Sequence, residues 1–128
     1  MLMIDPTSFG YKQSRWQDLF NFLESKGYDV YPPATKLGDC LEPYIVVKYA
    51  GATNMSTISS RQDLYDIMVY VPKNQYSQLE VLVQKVINDM KEIKPLFMPY
   101  DMEQDESVID TAVNGHYVSL TYCNYKKN

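Results

Sequence analysis

The sequence predicts an α+β domain, a mainly antiparallel sheet of four or five strands with two amphipathic helices packed on one face. Two segments carry apolar residues at helical spacing, and each opens on a capping signature. Between and after them lie runs rich in Val, Ile and Tyr, bounded by proline and glycine. The resulting order is α-β-β-β-α-(β)-β, in which two helices suffice to cover one face of a single sheet.

Residues 1–13 show no period and are broken by Pro6 and Gly10. They read as an N-terminal arm, of the kind that frays or docks on a neighbour. At Ser14 the pattern changes. Ser14-Arg15-Trp16-Gln17 is a capping-box sequence, and Trp16, Leu19, Phe20 and Leu23 follow at i, i+3, i+4 and i+7. With Lys26 in the last turn and Gly27 fit for the left-handed position beyond it, the first helix is expected over 14–26. Tyr28-Asp29-Val30-Tyr31 reads as a short strand stopped by Pro32-Pro33. After a loop over 34–43, a strand is expected from Tyr44 to Ala50, with Gly51-Ala52-Thr53-Asn54 turning the chain. Leu64–Val71 forms a second long strand, closed by Pro72.

Ser77-Gln78-Leu79-Glu80 is a second capping box, with Tyr76 placed to staple onto Val81. Leu79, Leu82, Val83, Val86, Ile87 and Met90 make the apolar stripe of the helix it opens. That helix ends before Lys94-Pro95. An acidic loop follows, with Asp101, Glu103, Asp105 and Glu106. Val108-Ile109 can begin a strand, Asn114-Gly115 signals a hairpin turn, and His116–Tyr125 is the last strand. In that strand Tyr117, Ser119, Thr121, Cys123 and Tyr125 face one way, and His116, Val118, Leu120, Tyr122 and Asn124 the other.

The chain's 128 residues suit one domain, 1–128, with enough length to bury a core without disulfides or metals. The net charge of -4 and the absence of any basic cluster larger than Lys126-Lys127 argue against tight phosphate or sequence-specific nucleic-acid binding. No apolar run approaches membrane-spanning length, and the N-terminus has neither a basic start nor a sustained apolar core. A cytoplasmic protein is therefore expected, and two widely spaced cysteines with no CxxC pair fit reduced thiols. Twelve tyrosines are many for this length. Tyrosine pairs a large apolar ring with a polar tip, which suits half-buried sheet faces and interfaces.

Motifs that carry chemistry are missing. There is no G-x-x-x-x-G-K and no G-x-G-x-x-G. His116 and Cys123 lie on opposite faces of one strand and, at roughly 3.3 Å per residue, more than 20 Å apart. Asp101, Glu103 and Asp105 have calcium-loop spacing, but Glu106 stands where such a loop needs glycine and Ala112 where it needs an acid. No catalytic residue, cofactor or metal is expected. The protein reads as one that works by shape and contact.

One stretch asks for more than a single covering layer. Tyr44-Ile45-Val46-Val47 is apolar without alternation, so both faces of this strand need cover. Two helices supply one face. The other face and any open edge are left for a partner, since a flat apolar edge invites pairing.

The segments Trp16 and Phe22-Leu23, Gly27–Pro32, Lys36–Cys40, Pro43–Lys48, Tyr65–Pro72 and Tyr117–Tyr125 together resemble the small tail-completion or tail-terminator proteins of tailed bacteriophages and phage-tail-like particles. The resemblance spans residues 14–125 and lies in the order of elements and the aromatic positions. It implies an α/β fold with a sheet packed on helices. It further implies a virion protein, assembled in the host cytoplasm, that forms a ring, commonly of six subunits, at the head-proximal end of the tail. Such a ring stops tube growth and offers the surface that joins the head. Its implied partners are further copies of itself, the tail tube and sheath proteins, and the head-tail connector proteins. Tyr44, Val46, Lys48, Asp101, Glu103, Asp105 and Glu106 are then candidate contacts between subunits or with the lumen. Head-completion or connector proteins share this size and fold, and a monomeric cytoplasmic binding module is the alternative of another class.

Overall fold

A computed structural model describes residues 14–54, 60–100 and 106–127. The chain runs through helix α1 (Arg15–Ser25) and strands β1 (Val30–Tyr31), β2 (Tyr44–Asn54) and β3 (Ser60–Pro72). Helix α2 (Leu79–Met90) and strands β4 (Met98–Pro99), β5 (Val108–Asp110) and β6 (Gly115–Lys127) follow. Among the described residues, one six-stranded sheet has the order β1-β2-β3-β6-β4, and β5 pairs with β6 on the same side as β4.

The α+β class and the two helices are as expected, but the sheet is larger than expected and mixed. β1 runs parallel to β2, with Val30 opposite Ile45, while every other pair is antiparallel. Parallel neighbours cannot be joined by a tight turn and need a crossover. Residues 32–43 are that crossover, which explains a loop longer than a turn requires.

α1 begins as its sequence dictates. The Ser14 hydroxyl accepts from the Gln17 amide at 3.2 Å, and the Gln17 side chain accepts from the Ser14 amide at 2.8 Å. The helix is then hooked to the sheet, because the Trp16 indole donates to the Val47 carbonyl at 2.8 Å. β1 pairs with β2 only at Ile45 and Val46, so Trp16 satisfies a carbonyl just beyond the end of that short pairing.

α2 departs from expectation at its start. Residues Lys73–Gln78 already form a 3-10 helix, so Ser77 lies inside helical structure and has no capping hydrogen bond to offer. A capping box needs a non-helical N-cap. The Tyr76–Val81 staple is also absent: Tyr76 meets Ser107 and His116 instead, and Val81 is 66% exposed.

The expected turn at Gly51–Asn54 is strand. The β2–β3 register shifts between Tyr49 and Gly51, and Gly51 adopts φ +99°. That is a β-bulge, which uses a glycine to bend the strand without ending it. The Asn114-Gly115 signal does mark the β5–β6 hairpin, but the turn occupies residues 111–114. The Ala112 amide donates to the Asp110 carboxylate at 3.0 Å, and Asn114 takes φ +50°.

The main core lies between the helices and one sheet face. Leu19 and Leu23 of α1, with Val83, Val86 and Met90 of α2, cover Ile45 and Val47, Ile67 and Val69, and Val118 and Leu120. Phe97 closes this layer against Tyr65. Beyond it the layer turns polar. Buried Asp63 receives the Tyr49 hydroxyl and the Arg61 guanidinium, both at 3.1 Å, and the Asn124 amide donates to the Leu96 carbonyl at 2.8 Å. Asp89 ties α2 to the start of β1: its carboxylate accepts from the Tyr28 hydroxyl and from the Lys85 ammonium. The Tyr28 bond, ahead of the lysine, holds the Asp89 carboxyl below the usual carboxylate range.

Candidate functional site: the loop-covered sheet face

The second apolar face of β2 is covered by the chain itself. Tyr44, Tyr70 and Tyr117 stand opposite one another on β2, β3 and β6. Their side chains share the face away from the helices. Tyr44 stacks on Tyr70 at 4.8 Å between ring centroids, Tyr70 stacks on Tyr117 at 4.9 Å, and Tyr31 meets Tyr44 edge-on at 5.7 Å. Such ring pairs add about 0.5–1.5 kcal/mol each beyond their burial. Part of the unusual tyrosine content is thus spent on a four-ring row across four strands.

The crossover loop 32–43 lies over this row. Cys40 is buried with Tyr44, Val46 and Tyr70 in a second apolar cluster. The Cys40 amide donates to the Val113 carbonyl at 2.6 Å, and the Asn114 side-chain amide donates to the Asp39 carboxylate at 3.0 Å. The Lys36 ammonium sits 5.5 and 5.8 Å from the Tyr31 and Tyr44 ring centres. Gly115 makes the close approach fit: a Cβ there would lie 3.0 Å from both the Cys40 Cβ and the Val71 carbonyl oxygen. Gly115→Ala is therefore expected to cost about 1–3 kcal/mol as an overpacked contact. Hydrogen exchange at the Cys40 amide should rise with it, and an unchanged exchange rate would show that the loop does not rest on that glycine.

Burial sets the electrostatics of the face. It pushes the Tyr44 hydroxyl up to about 12, with the neighbouring Cys40 and Asp110 adding to the effect. It raises Tyr70 as well, followed by the charge of Asp110, whose carboxylate accepts from the Tyr70 hydroxyl at 3.2 Å. It also raises the Cys40 thiol, against a small opposing pull from Lys36. A thiol shifted that way is the reverse of an activated nucleophile. Cys40 abuts Gly115 on the covered face, while His116 packs against Tyr76, with ring centroids 4.7 Å apart. Cys123 is buried as well. Among the described residues no three His, Cys, Asp or Glu side chains gather as a metal site.

Of the residues singled out from the sequence, Tyr44, Val46 and Lys48 do share this face. Tyr44 and Val46 are closed in by their own chain, with Tyr44 only 4% exposed, whereas Lys48 is open to solvent. Lys48 and Lys36 border a cleft of about 350 Å³ between the loop and the sheet, floored by Val46, Met68 and Tyr70. Asp101, Glu103 and Asp105 lie outside the described residues. Glu106 is exposed and lines a different cleft of about 410 Å³, between α2 and β6.

Sequence reasoning passed over two residues that stand out in three dimensions. Leu37 is 81% and Leu41 79% exposed, both on the anchored loop. A loop containing two leucines is a visible signal, but only the covering role of Cys40 between them shows which way they point. On the sheet edge, Val108 and Ile109 of β5 are also exposed. The arrangement leaves an anchored loop with two exposed leucines and a cleft bordered by Glu80 and Glu106.

The chain matches no protein-family model and no curated protein sequence.

Proposed function

We propose that this protein is a structural component of a phage tail or phage-tail-like particle. In this reading it forms a ring, hexameric as in the proteins it resembles, that caps the head-proximal end of the tail. The ring stops growth of the tube and presents the surface to which the head or collar joins. The reading rests on the resemblance over residues 14–125. The observation that carries it furthest is the anchored loop with Leu37 and Leu41 exposed. A monomer loses solvation free energy by holding two leucines in water, on the order of 1.5–3 kcal/mol each relative to burial. A loop pinned by Cys40, Asp39 and Gly115 has little freedom to fold them away. Partners in this role are further copies of the chain, the tube and sheath proteins, and the connector proteins.

The test is to delete the protein's coding sequence from the particle-producing cell and measure tail lengths by electron microscopy. Lost termination predicts tails longer than normal with a broad length distribution, and labelled protein should sit at the head-proximal end of restored tails. Tails of normal length that fail to join heads would point to a head-completion or connector role. Normal particles without the label would leave a cytoplasmic binding module.

A further inference from the structure

We propose that residues 7–13 add a strand to the sheet, antiparallel to β2 of the same chain and lying along its open edge from Lys48 to Asn54. This inference is independent of the ring reading above.

The edge needs a cover. Among the described residues, β1 pairs with β2 only at Ile45 and Val46, and beyond Val46 β2 is paired with β3 alone. Pro32 and Pro33 follow β1 directly, and proline cannot carry a ladder on. The Ile45 amide donates to the Asp29 carbonyl at 2.8 Å, so alternate residues Ile45, Val47 and Tyr49 turn their backbone groups outward. The Trp16 indole takes the Val47 carbonyl. From Lys48 onward the edge runs free of both β1 and Trp16. Across the bulge, Ala52, opposite Asp63, continues the outward set. Edges of this kind are normally blunted by charge, proline or shortness. Residues 48–54 carry one charge, Lys48, and no proline. Tyr49 is 48% exposed, and Ala52 and Thr53 are exposed as well.

The chain before α1 is aimed at this edge. Trp16, in the first turn of α1, bonds Val47, whereas the far end of α1 leads through Tyr28 to Asp29, which bonds Ile45. α1 therefore points back along β2, and the residues before it come from the direction of Asn54. Ser14 already has the extended backbone of a strand, with φ -70° and ψ 158°. A segment arriving that way runs antiparallel to β2 and needs no crossover. Its length suffices, because residues 7–13 as a strand span about 23 Å, the same as residues 48–54.

The segment also has the pattern of a half-buried strand. Residues 1–13 as a whole have no period, but after Pro6 the residues Thr7, Phe9 and Tyr11 alternate with Ser8, Gly10 and Lys12. Pro6 stands where proline is tolerated, at the start of a strand. On the helix side of the sheet the Tyr49 ring meets Tyr65 edge-on at 5.5 Å. Phe9 and Tyr11 on that side extend the row of rings, and cross-strand aromatic pairs stabilise a sheet. Ser8, Gly10 and Lys12 then face solvent.

Hydrogen exchange on the full chain, read residue by residue by NMR, tests the added strand at the outward amides of Tyr49 and Ala52. Both should be protected, and to the same degree at every protein concentration, because the strand comes from the same chain. Ser8→Pro with Phe9→Pro removes two successive amide donors, one of which faces β2 whichever alternate set pairs. In that variant, exchange at Tyr49 and Ala52 should speed up by on the order of tenfold or more, while the amide of Val69 on the central strand keeps its rate and shows that the fold is intact. Exchange at Tyr49 and Ala52 of the unmodified chain as fast as in an unstructured peptide would overturn the proposal without recourse to the variant. Protection that grows with concentration would assign the edge to a second copy and overturn it too. Protection unchanged in the proline variant would mean that another segment holds the edge, with the same consequence.

Discussion

Leu23→Ala is expected to destabilise the fold by about 2–5 kcal/mol, the range for removing a fully buried leucine with partial collapse of the cavity. Leu23 is completely buried between α1 and the sheet and belongs to the main core. α1 is a short helix of eleven residues, held by its apolar face and the Trp16–Val47 bond. Isolated helices of that length are marginal in water. Loss of Leu23 should therefore loosen the whole helix, and chemical denaturation would measure it. Leu82→Ala is the control. Leu82 is only partly buried at the margin of the same core, so its loss should fall clearly below that of Leu23. Equal losses would mean that the α2 face has been assigned wrongly.

Stability should fall steeply above pH 10. Tyr44 and Tyr65 have their hydroxyls pushed up to about 12 from an ordinary 10.0, chiefly by burial. Tyr70 and Tyr122 are raised by the same cause. Between the unfolded and folded values the unfolded chain has lost a proton that the folded chain still holds, so rising pH favours unfolding. The stability these groups contribute is complete below pH 10 and is lost as the pH climbs through 10 towards 12. Each retained proton costs about 1.4 kcal/mol per pH unit in that window. Tyr44 and Tyr65 together would therefore remove about 3 kcal/mol by pH 11. Denaturation at pH 8, 10 and 11, with tyrosinate absorbance recorded in parallel, measures it. Tyrosines that all ionise near 10 without unfolding would show that the stacked row is open to water.

How much of this was written in the sequence depends on the range of the interactions involved. α1 was legible down to its cap, because Ser14 and Gln17 are three residues apart and their bonds need nothing else. The apolar stripe of α2 was equally legible, and four of its six positions are buried: Leu79, Val83, Val86 and Met90. Its start was misread, because the Ser77–Glu80 pattern is also local but competes with a 3-10 turn that begins at Lys73 and fixes Tyr76 on Ser107 and His116. Gly51 was misread for a similar reason. A glycine permits a turn or a bulge alike, and the pairing of Ala52 with Asp63 across the sheet is what keeps the strand going.

The candidate site was legible only as a question. Tyr44-Ile45-Val46-Val47 announced by composition alone that both faces of its strand are covered, and the alternation of the last strand put Tyr117 and Cys123 on one side. Which atoms do the covering could not be read, because strand register, the parallel pairing of Val30 with Ile45 and the path of residues 32–43 are fixed by contacts between distant segments. Periodicity and capping are short-range and survive in the sequence of a single element. The tyrosine row, the seat of Cys40 over Gly115 and the outward thrust of Leu37 and Leu41 exist only once β2, β3 and β6 are in register, since each side chain there is placed by a neighbour from another strand.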